Sequence, residues 1–384
     1  MKLLIHDLSA AEWAEVAQRF EGWSVVSDDG GIRPCMGCFG CWVKTPGRCV
    51  LNDAYAHMPR LLAEADEVLV MSRYTYGGFS SFVKNVFDRS IGYVLPFFEV
   101  VDGEMHHKAR CSSKVPVSFW FRGEGLTEMD KLRARVYVQA VCRNLRRPLG
   151  DLRFEECAMR VPEAHDQAPQ GTPLSGTVLL NCSPKGDRAS TRRFLDRLAG
   201  CIDGEVTTRT LPVVRQRLDE FVANLAGFER LVLGMPLYVD GIPAQVLRLM
   251  ELLEAREAGS GKKVYVVANM GLYECWQLKN LMGMVRAWCS QAGFRYCGGI
   301  AIGAGPMFGP MIDGLPLDKG LAKDIGTGMR SLARAIESGT AMDDFYASPH
   351  LFPRALYLLA ANAGWPRNAV ANGIKRRDLY QLPS

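Results

Sequence analysis

Four cysteines near the start of the chain stand at a spacing that can hold a metal cluster. Cys35, Cys38 and Cys41 follow one another at intervals of three, and Cys49 comes eight positions after the last of them. Thiolates are the usual ligands of iron-sulfur clusters, for which closely spaced cysteines with a remote fourth recur. Zinc is less favoured, because structural four-cysteine sites usually contain two separated CxxC pairs. A redox-active thiol set and simple packing remain open as alternatives.

A second candidate site follows an apolar strand in the second half of the chain. The segment GTVLLNCSPKGDRASTRRF, residues 176–194, reads as a buried strand, a loop of small and polar residues, and a helix that begins near Ser190 and Thr191. Such a loop directs backbone N–H groups and hydroxyls at one point, where the helix dipole favours a phosphate. Lys185 and Arg188 add positive charge. The alternative is an ordinary turn in which Ser190 only caps the helix.

Length and composition indicate an ordinary two-domain globular protein. The chain has 384 residues, of which 48% are hydrophobic and 23% charged, with a formal net charge of +5. The charge is mild and not clustered, so it argues against nucleic acid as a partner. No signal peptide and no apolar run of membrane-spanning length is evident, so we expect a cytoplasmic protein without membrane association. Twelve cysteines in a reducing compartment argue against a disulfide framework.

Internal repetition predicts the fold class. Residues 65–90 and 228–253 each read as an apolar strand, a loop with an aromatic residue and glycine, and a helix. Short apolar strands alternate with helices around both copies, which is typical of α/β domains with doubly wound parallel sheets. Pro and Gly are dense in residues 160–176, so the join is placed near Gly171. We predict two tandem domains, at 1–165 and 172–330, and a C-terminal helical extension at 331–384.

Three loops of the second half resemble those of the NADPH-dependent FMN reductase family, which is flavodoxin-like. Ligands of doubly wound sheets bind outside the carboxyl ends of the strands, where all three loops would lie. The family's phosphate loop is matched by Ser183, Pro184, Lys185, Ser190 and Thr191, and its ring loop by Pro236, Tyr238, Gly241, Pro243 and Ala244. The resemblance covers roughly residues 174–310. It implies FMN as cofactor, reduced nicotinamide as electron donor, and these cofactor-binding residues: Ser183, Lys185, Arg188, Ser190, Thr191, Pro236, Leu237, Tyr238, Val239, Gly241, Asn269, Met270, Gly271 and Glu274.

The first half resembles the same family but lacks a phosphate loop. Its ring loop is well matched, with these residues in the loop and the following helix: Tyr74, Tyr76, Gly77, Gly78, Ser80, Lys84, Asp88 and Arg89. After the first strand, however, the chain reads DLSAAEWAEV, in which Glu12 and Glu15 would repel a phosphate at the helix N-terminus. We therefore predict FMN in the second domain only. The two domains are predicted to form a pseudo-dimer within one chain, which could further assemble as a homo-oligomer.

The resemblance also bears on the four cysteines. They fall where iron-sulfur flavoproteins of this kind carry a compact motif for a [4Fe-4S] cluster, which implies Cys35, Cys38, Cys41 and Cys49 as its ligands. The main functional expectation is an FMN-dependent NAD(P)H oxidoreductase that passes electrons to a small-molecule or protein acceptor. No catalytic side chain is predicted, since the flavin performs the chemistry. The alternatives are an electron carrier between protein partners and a non-enzymatic flavin-binding module.

The paired histidines and the C-terminal apolar segment have simpler interpretations. His106 and His107 are adjacent in the sequence, so they project in different directions and are expected in a polar loop rather than on one metal ion. The segment at 348–365 is expected to be a helix that docks on a domain face. A membrane-surface helix is the less favoured reading, because the segment lacks the dense basic flank that surface binding requires.

Overall fold

The computed structural model describes residues 1–157, 175–259 and 261–383. The chain divides into two compact units. One unit comprises Met1–Met159 together with Ala355–Ser384, and the other comprises Arg160–Arg354. The predicted join, from 165 to 172, lies outside the described residues.

The first unit is built on a parallel five-stranded sheet. Its strands lie in the order β2-β1-β3-β6-β7, and every neighbouring pair is parallel. Strands β4 and β5 form a separate antiparallel hairpin. The elements of this unit are β1 Lys2–His6, α1 Ala10–Val16, β2 Ser24–Val26, α2 Gly40–Val43, α3 Met58–Glu64, β3 Glu67–Arg73, α4 Ser81–Arg89, β4 Val94–Val101, β5 Glu104–Ala109, β6 Val117–Gly123, α5 Glu128–Leu145 and β7 Leu149–Glu156.

The second unit repeats this plan with one more strand. Its order is β9-β8-β10-β11-β12-β13, again parallel throughout. The remaining elements are β8 Ser175–Asn181, α6 Ser190–Ala199, β9 Val206–Thr210, α7 Leu218–Ala223, β10 Phe228–Pro236, α8 Ala244–Ala255, β11 Lys263–Asn269, α9 Lys279–Gln291, β12 Arg295–Ile302, α10 Gly305–Met311, α11 Lys323–Ser338, β13 Phe345–Ala347 and α12 Arg354–Ala371.

The strand order identifies the fold class. Counted along the chain, the strands of the first sheet lie in the order 2-1-3-4-5, and the second sheet adds a sixth strand to the same order. This is the order of flavodoxin-like doubly wound folds, which bind their ligand where the order reverses, beside the first and third strands. The prediction of two tandem flavodoxin-like domains is confirmed.

The central strands carry continuous apolar runs because helices cover both faces of each sheet. In β8, Val178, Leu179 and Leu180 have no exposed surface, although successive side chains point to opposite faces. Helix α6 buries Phe194, Leu195 and Leu198, which recur at helical spacing and seal one face of this sheet. The cores are thus formed by the apolar runs that the sequence displays.

The segment predicted as a C-terminal extension is shared between the two units. Helix α11 runs across the predicted boundary at 330/331, and β13 joins the second sheet beside β12. From Ala355 onward the chain belongs to the first unit. There the side chain of Asn362 accepts from the Phe98 backbone N–H at 2.7 Å and donates to its carbonyl at 3.0 Å. No helix in the described part of the chain is long and apolar enough to cross a bilayer.

The expectation that the adjacent histidines lie in a polar loop is wrong. His106 and His107 are in β5, and their side chains project to opposite sides because the period of a strand is two residues. His107 packs against Phe98 and Trp42, with ring centroids 4.7 Å from each. Burial lowers the pKa of His107 to about 4, so the ring is neutral near pH 7.

Candidate functional site

Three loops of the second unit meet at the carboxyl edge of its sheet. They follow β8, β10 and β11, whose C-terminal ends are adjacent in the sheet. Gly234, near the end of β10, lies opposite Asn181, the last residue of β8, and Pro236 lies opposite Asn269, the last residue of β11. The loops therefore begin at nearly the same level. This edge includes the point between β8 and β10 at which the strand order reverses.

The first loop, residues 181–189, is shaped by its own side chains. The Asn181 amide donates to the Gly186 carbonyl at 2.9 Å and accepts from the Ser183 N–H at 3.3 Å. The Ser183 hydroxyl in turn accepts from the Lys185 N–H at 3.4 Å. Ser183 is buried, Lys185 is half-buried and Arg188 is exposed. The turn is thus fixed from within, with two basic residues on its outer side.

Helix α6 begins directly after this loop, at Ser190, as the sequence predicts. Its N-cap residue is Ala189, and no side chain in the described residues caps its first turn. The first N–H groups of a helix have no intrahelical partner and carry the positive end of its dipole. Since α6 spans ten residues, this end offers a sizeable positive field. The arrangement favours an anion rather than a simple serine cap.

The third loop is joined to the start of α6. The Asn269 side chain donates to the Thr191 hydroxyl at 2.7 Å and to the Met235 carbonyl at 3.3 Å. Helix α10 also lies here: a Cβ built on Gly309 would come within 2.1 Å of the Ser190 hydroxyl oxygen. Thr191 is therefore held by Asn269 at the start of the third loop, and Ser190 packs closely against Gly309 of α10.

The second loop, residues 236–241, contains a strained two-residue turn. Tyr238 and Gly241 exchange backbone hydrogen bonds of 3.2 and 3.0 Å, and the residues between them, Val239 and Asp240, have φ of 39° and 58°. A β-branched residue at positive φ is a genuine outlier, and strain of this kind tends to occur at functional sites. Pro236, Leu237, Tyr238 and Val239 are half-buried, so this loop keeps an accessible surface.

The same turn occurs in the ring loop of the first unit. There, Thr75 and Gly78 exchange the backbone hydrogen bonds, and Tyr76 and Gly77 are the central residues at positive φ. Tyr238 therefore corresponds to Thr75, and Val239 corresponds to Tyr76. The two aromatic residues matched by the sequence occupy different positions of the turn.

Other predicted residues of the third loop are held by the protein itself. Met270 is buried, and its backbone bonds with Ile302 at 3.1 Å and Gly305 at 2.7 Å. Glu274 has no exposed surface, and its carboxylate accepts from the Arg354 guanidinium at 3.0 Å. Gly271 is half-buried. The buried Glu274 carboxylate thus anchors the loop to the part-exposed Arg354. Asn269 is also buried, whereas Gly271 keeps some accessible surface.

Gln245 is a site residue that the sequence interpretation missed. It is the second residue of α8, directly after the ring loop, and it is 8% exposed. Its side-chain nitrogen donates to the Cys182 carbonyl at 3.0 Å, which links the second loop to the first. Gln245 is a polar residue on an otherwise apolar face of α8, and the sequence alone shows this contrast.

The first unit places a carboxylate where the second unit presents free N–H groups. Ser9 and Glu12 form a reciprocal cap at the start of α1, and the Arg122 guanidinium lies 2.9 Å from Glu12. Burial opposes ionisation, but the hydrogen bonds from Ser9 and the Arg122 charge lower the pKa of Glu12 to about 2. His6 stacks on Trp13 beside this cap at a centroid distance of 4.4 Å. Glu15 is exposed, so only Glu12 occupies the anion position.

The four cysteines of the first unit come within electrostatic range of one another. Burial raises the pKa of Cys41 well above its usual range, and Cys35, Cys49 and Cys38 raise it further. Burial also raises the pKa of Cys35 to about 12, with a contribution from the Asp88 carboxylate. In the part of the chain that the structure describes, no three metal-ligating side chains are placed to hold a single metal ion. The thiols influence one another's ionisation, but the described residues do not arrange them as a metal site.

Two buried arginines lie beside these thiols. The Arg89 Nε donates to Cys49 Sγ at 3.0 Å, while its Nη atoms bond to Asp53 at 2.7 and 2.8 Å. Arg110 donates to the carbonyls of Gly92, Leu379 and Gln381, at 2.6–2.8 Å. Burial lowers the pKa of Arg110 to about 10. A buried cation bonded to carbonyls favours negative charge nearby, because isolated buried charges are costly.

Comparisons with solved structures give remote and partial similarities. An FMN-dependent NADH-azoreductase from Bacillus anthracis str. Ames Ancestor, in complex with FMN, is 15% identical with a TM-score of 0.31, covering 42% of this chain and 100% of that one. An azoreductase from Bacillus anthracis str. Sterne is 14% identical with a TM-score of 0.30, covering 43% and 100%. The Trp repressor binding protein from Bacillus subtilis is 13% identical with a TM-score of 0.27, covering 32% and 81%.

No protein-family model matches the chain, and no curated protein matches it. The structural similarities are too low to carry an argument about activity. The fold assignment rests on the strand order.

Proposed function

We propose that the second unit binds FMN and that the protein is an FMN-dependent NAD(P)H oxidoreductase. The start of α6, which no side chain of the described residues caps and where Ser190 and Thr191 place two hydroxyls in the first turn, is the observation that carries the proposal. An anion at this position would satisfy N–H groups that the protein leaves without a side-chain partner. The FMN phosphate is such an anion, and the ring loop lies beside it at the β8/β10 reversal point, where flavodoxin-like folds bind FMN.

The residues present fit the cofactor in two further respects. The loop that contains the strained turn keeps accessible surface at Pro236, Leu237, Tyr238 and Val239, where a flat ring would lie. Lys185 and Arg188 add positive charge on the outer side of the phosphate loop. The charges of α6 itself are partly neutralised, because Arg192 bonds to Asp187 and Asp196 at 2.8 Å. With Arg192 paired in this way, the start of α6 favours one bound anion rather than forming an extended basic surface.

FMN bound here would supply the redox chemistry between reduced nicotinamide as hydride donor and an acceptor such as a quinone, a free flavin or an enone. The protein positions this reaction. Thr191 and Asn269 fix the phosphate end, and Tyr238 and the turn after it border the ring. Met270 and Gly271, which follow Asn269 in the third loop, border its far edge.

The decisive experiment measures FMN content and turnover in a double variant. Ser190→Ala/Thr191→Ala removes two donors to the phosphate, each worth about 1.5–3 kcal/mol when the partner is charged. Most of the flavin should be lost, together with NADH and NADPH oxidation in the presence of menadione. The matched control, Thr327→Ala/Ser331→Ala, removes the same hydroxyl types from α11 in the same unit and should keep both. Wild-type FMN content in the double variant would refute the assignment.

The same measurements separate the two alternatives. An electron carrier would oxidise NADH and NADPH slowly but would be reduced quickly by a ferredoxin-like protein. A non-enzymatic module would retain FMN tightly and show no steady-state turnover with any donor. Fast nicotinamide oxidation with a small quinone supports the oxidoreductase.

We propose, secondly, that the cysteine quartet holds a [4Fe-4S] cluster. Mutual proximity of the four thiols and the neighbouring Arg89 and Arg110 cations support it, because four thiolates and a cluster carry net negative charge. Protein prepared anaerobically should contain about four irons per chain, and Cys38→Ser should abolish them while sparing FMN. Iron-free wild-type protein with four titratable thiols would refute the cluster.

A further inference from the structure

The side-chain amide of Gln245 has a fixed orientation. Its only partner among the described residues is the Cys182 carbonyl, at 3.0 Å. A carbonyl oxygen can only accept a hydrogen bond, so the NH₂ group of the amide must face Cys182. The Oε1 atom consequently faces away from the first loop. This removes the ambiguity between the oxygen and nitrogen of an amide that otherwise attends glutamine side chains.

That Oε1 atom is a buried acceptor without a donor. Gln245 is 8% exposed, and no group in the described residues donates to its Oε1. Leaving a buried acceptor unsatisfied is costly, and folded proteins rarely do so without a reason. A ligand that brings a hydroxyl or N–H donor would supply the missing partner.

The position of Gln245 identifies which part of a ligand that donor belongs to. Cys182 opens the phosphate loop after β8, and Gln245 lies in the first turn of the helix that follows the ring loop after β10. The amide therefore lies between the loop proposed to hold the phosphate and the loop proposed to hold the ring. In FMN, the ribityl chain connects these two groups, and it carries hydroxyl donors.

We infer that Gln245 accepts a hydrogen bond from a ribityl hydroxyl of the flavin bound in the second unit. This inference rests on the proposed function. Gln245 then acts as a positioning residue, because it aligns the chain that joins phosphate and ring while its NH₂ group holds the two loops together. It also selects for a polyhydroxyl chain, since an alkyl chain would leave Oε1 without a donor.

A double-mutant cycle between protein and ligand tests the contact. Flavin binding is measured by fluorescence for wild-type protein and Gln245→Met, with riboflavin and with the N10-pentyl isoalloxazine that lacks the side-chain hydroxyls. Wild-type protein should bind riboflavin roughly ten-fold more tightly than the pentyl compound, on the scale of one buried hydrogen bond. Gln245→Met should lose most of this preference, because methionine offers no oxygen acceptor.

The exposed amide of Gln291, at the end of α9, provides the matched control. Gln291→Met should keep the full preference for riboflavin. An equal preference in Gln245→Met and wild type would overturn the inference, whatever the absolute affinities, and so would a preference of less than two-fold in wild type. Thermal unfolding of the flavin-free variants identifies any change that only destabilises the fold.

Failure of the proposed function gives a different result. Wild-type protein that binds neither FMN nor riboflavin contradicts flavin binding itself, and with it the role of Gln245. Wild-type protein that binds FMN but shows no coupling with Gln245 contradicts the inference alone. Repeating the cycle with FMN shows whether the phosphate interaction is independent, since the coupling should then be the same size.

Discussion

The Arg122 guanidinium lies 2.9 Å from the carboxylate of Glu12, at the start of the first helix of the first unit. The chain thereby places its own negative charge where α6 of the second unit has none. The two units share a strand order, yet an acidic residue caps the start of α1 and none lies in the first turn of α6.

One FMN per chain is expected for this reason. Glu12→Gln removes the charge but keeps a side chain in the position, so it should not create a second site. Equilibrium dialysis against FMN should give a stoichiometry near one for both proteins. Loss of the ion pair should destabilise the first unit by about 1 kcal/mol, the usual scale for a helix cap. A stoichiometry near two in wild-type protein would contradict this interpretation.

Gly309→Ala should disrupt the phosphate site from a neighbouring helix. The added Cβ would come within 2.1 Å of the Ser190 hydroxyl oxygen and 3.1 Å of its Cα, so α10 must shift away from α6. Forced repacking of this kind costs about 1–3 kcal/mol. FMN affinity and the unfolding temperature of the second unit should both fall. The control is Gly283→Ala in α9, where a Cβ meets no atom within 4 Å and stability should rise slightly.

Relieving the strain of this turn should raise the stability of the protein and lower its affinity for FMN. Val239 has φ of 39°, a conformation that glycine adopts freely, so Val239→Gly should stabilise the flavin-free protein by about 1 kcal/mol. The same change should weaken FMN binding, because the ring loop becomes less ordered. Asp102→Gly, at φ of 50° in the exposed hairpin turn of the first unit, should leave FMN binding unchanged. Unaltered flavin affinity in Val239→Gly would argue against a role for this turn.

His6 should make the first unit sensitive to acid. Its Nδ1 accepts from the Leu8 N–H at 3.2 Å, and burial lowers its pKa to about 4. The unfolded chain, with a pKa near 6.5, then binds more protons than the folded one between these values. Stability is therefore complete above about pH 6.5 and is lost progressively as the pH falls toward 4.

The variant His6→Asn tests whether His6 causes this pH dependence of stability. Asparagine can accept from an N–H two residues ahead, as in an Asx turn, but does not titrate. The difference in unfolding free energy between the two proteins should change between pH 6.5 and 4 and be constant above that range. A difference that stays constant across the whole titration would show that His6 does not carry the pH dependence.

The sequence predicted the features that depend on local pattern. Apolar strands alternating with helices gave the fold class, and the polar run before Ser190 gave the start of α6. Strands β2, β7, β9 and β13 are harder to recognise in the sequence, because they lie at sheet edges where half-exposed residues mask the apolar pattern. The cysteine quartet was located by spacing alone, but its arginine neighbours come from distant segments.

Features that depend on tertiary contacts were beyond the sequence. The correspondence of Tyr238 with Thr75, rather than with Tyr76, follows from backbone φ values and hydrogen bonds. The role of Gln245 depends on a carbonyl 63 positions earlier. The placement of residues 355–383 in the first unit depends on bonds such as that of Arg110 with Leu379, 269 positions apart.

That last placement has a consequence for how the protein is made. Because Asn362 bonds to Phe98, and Arg110 to the carbonyls of Leu379 and Gln381, the first unit draws on residues that leave the ribosome after the whole second unit. Its N-terminal portion must persist without these partners while the second unit is translated. The second unit is encoded without interruption and can complete its fold earlier, which reverses the usual N-to-C order of domain maturation.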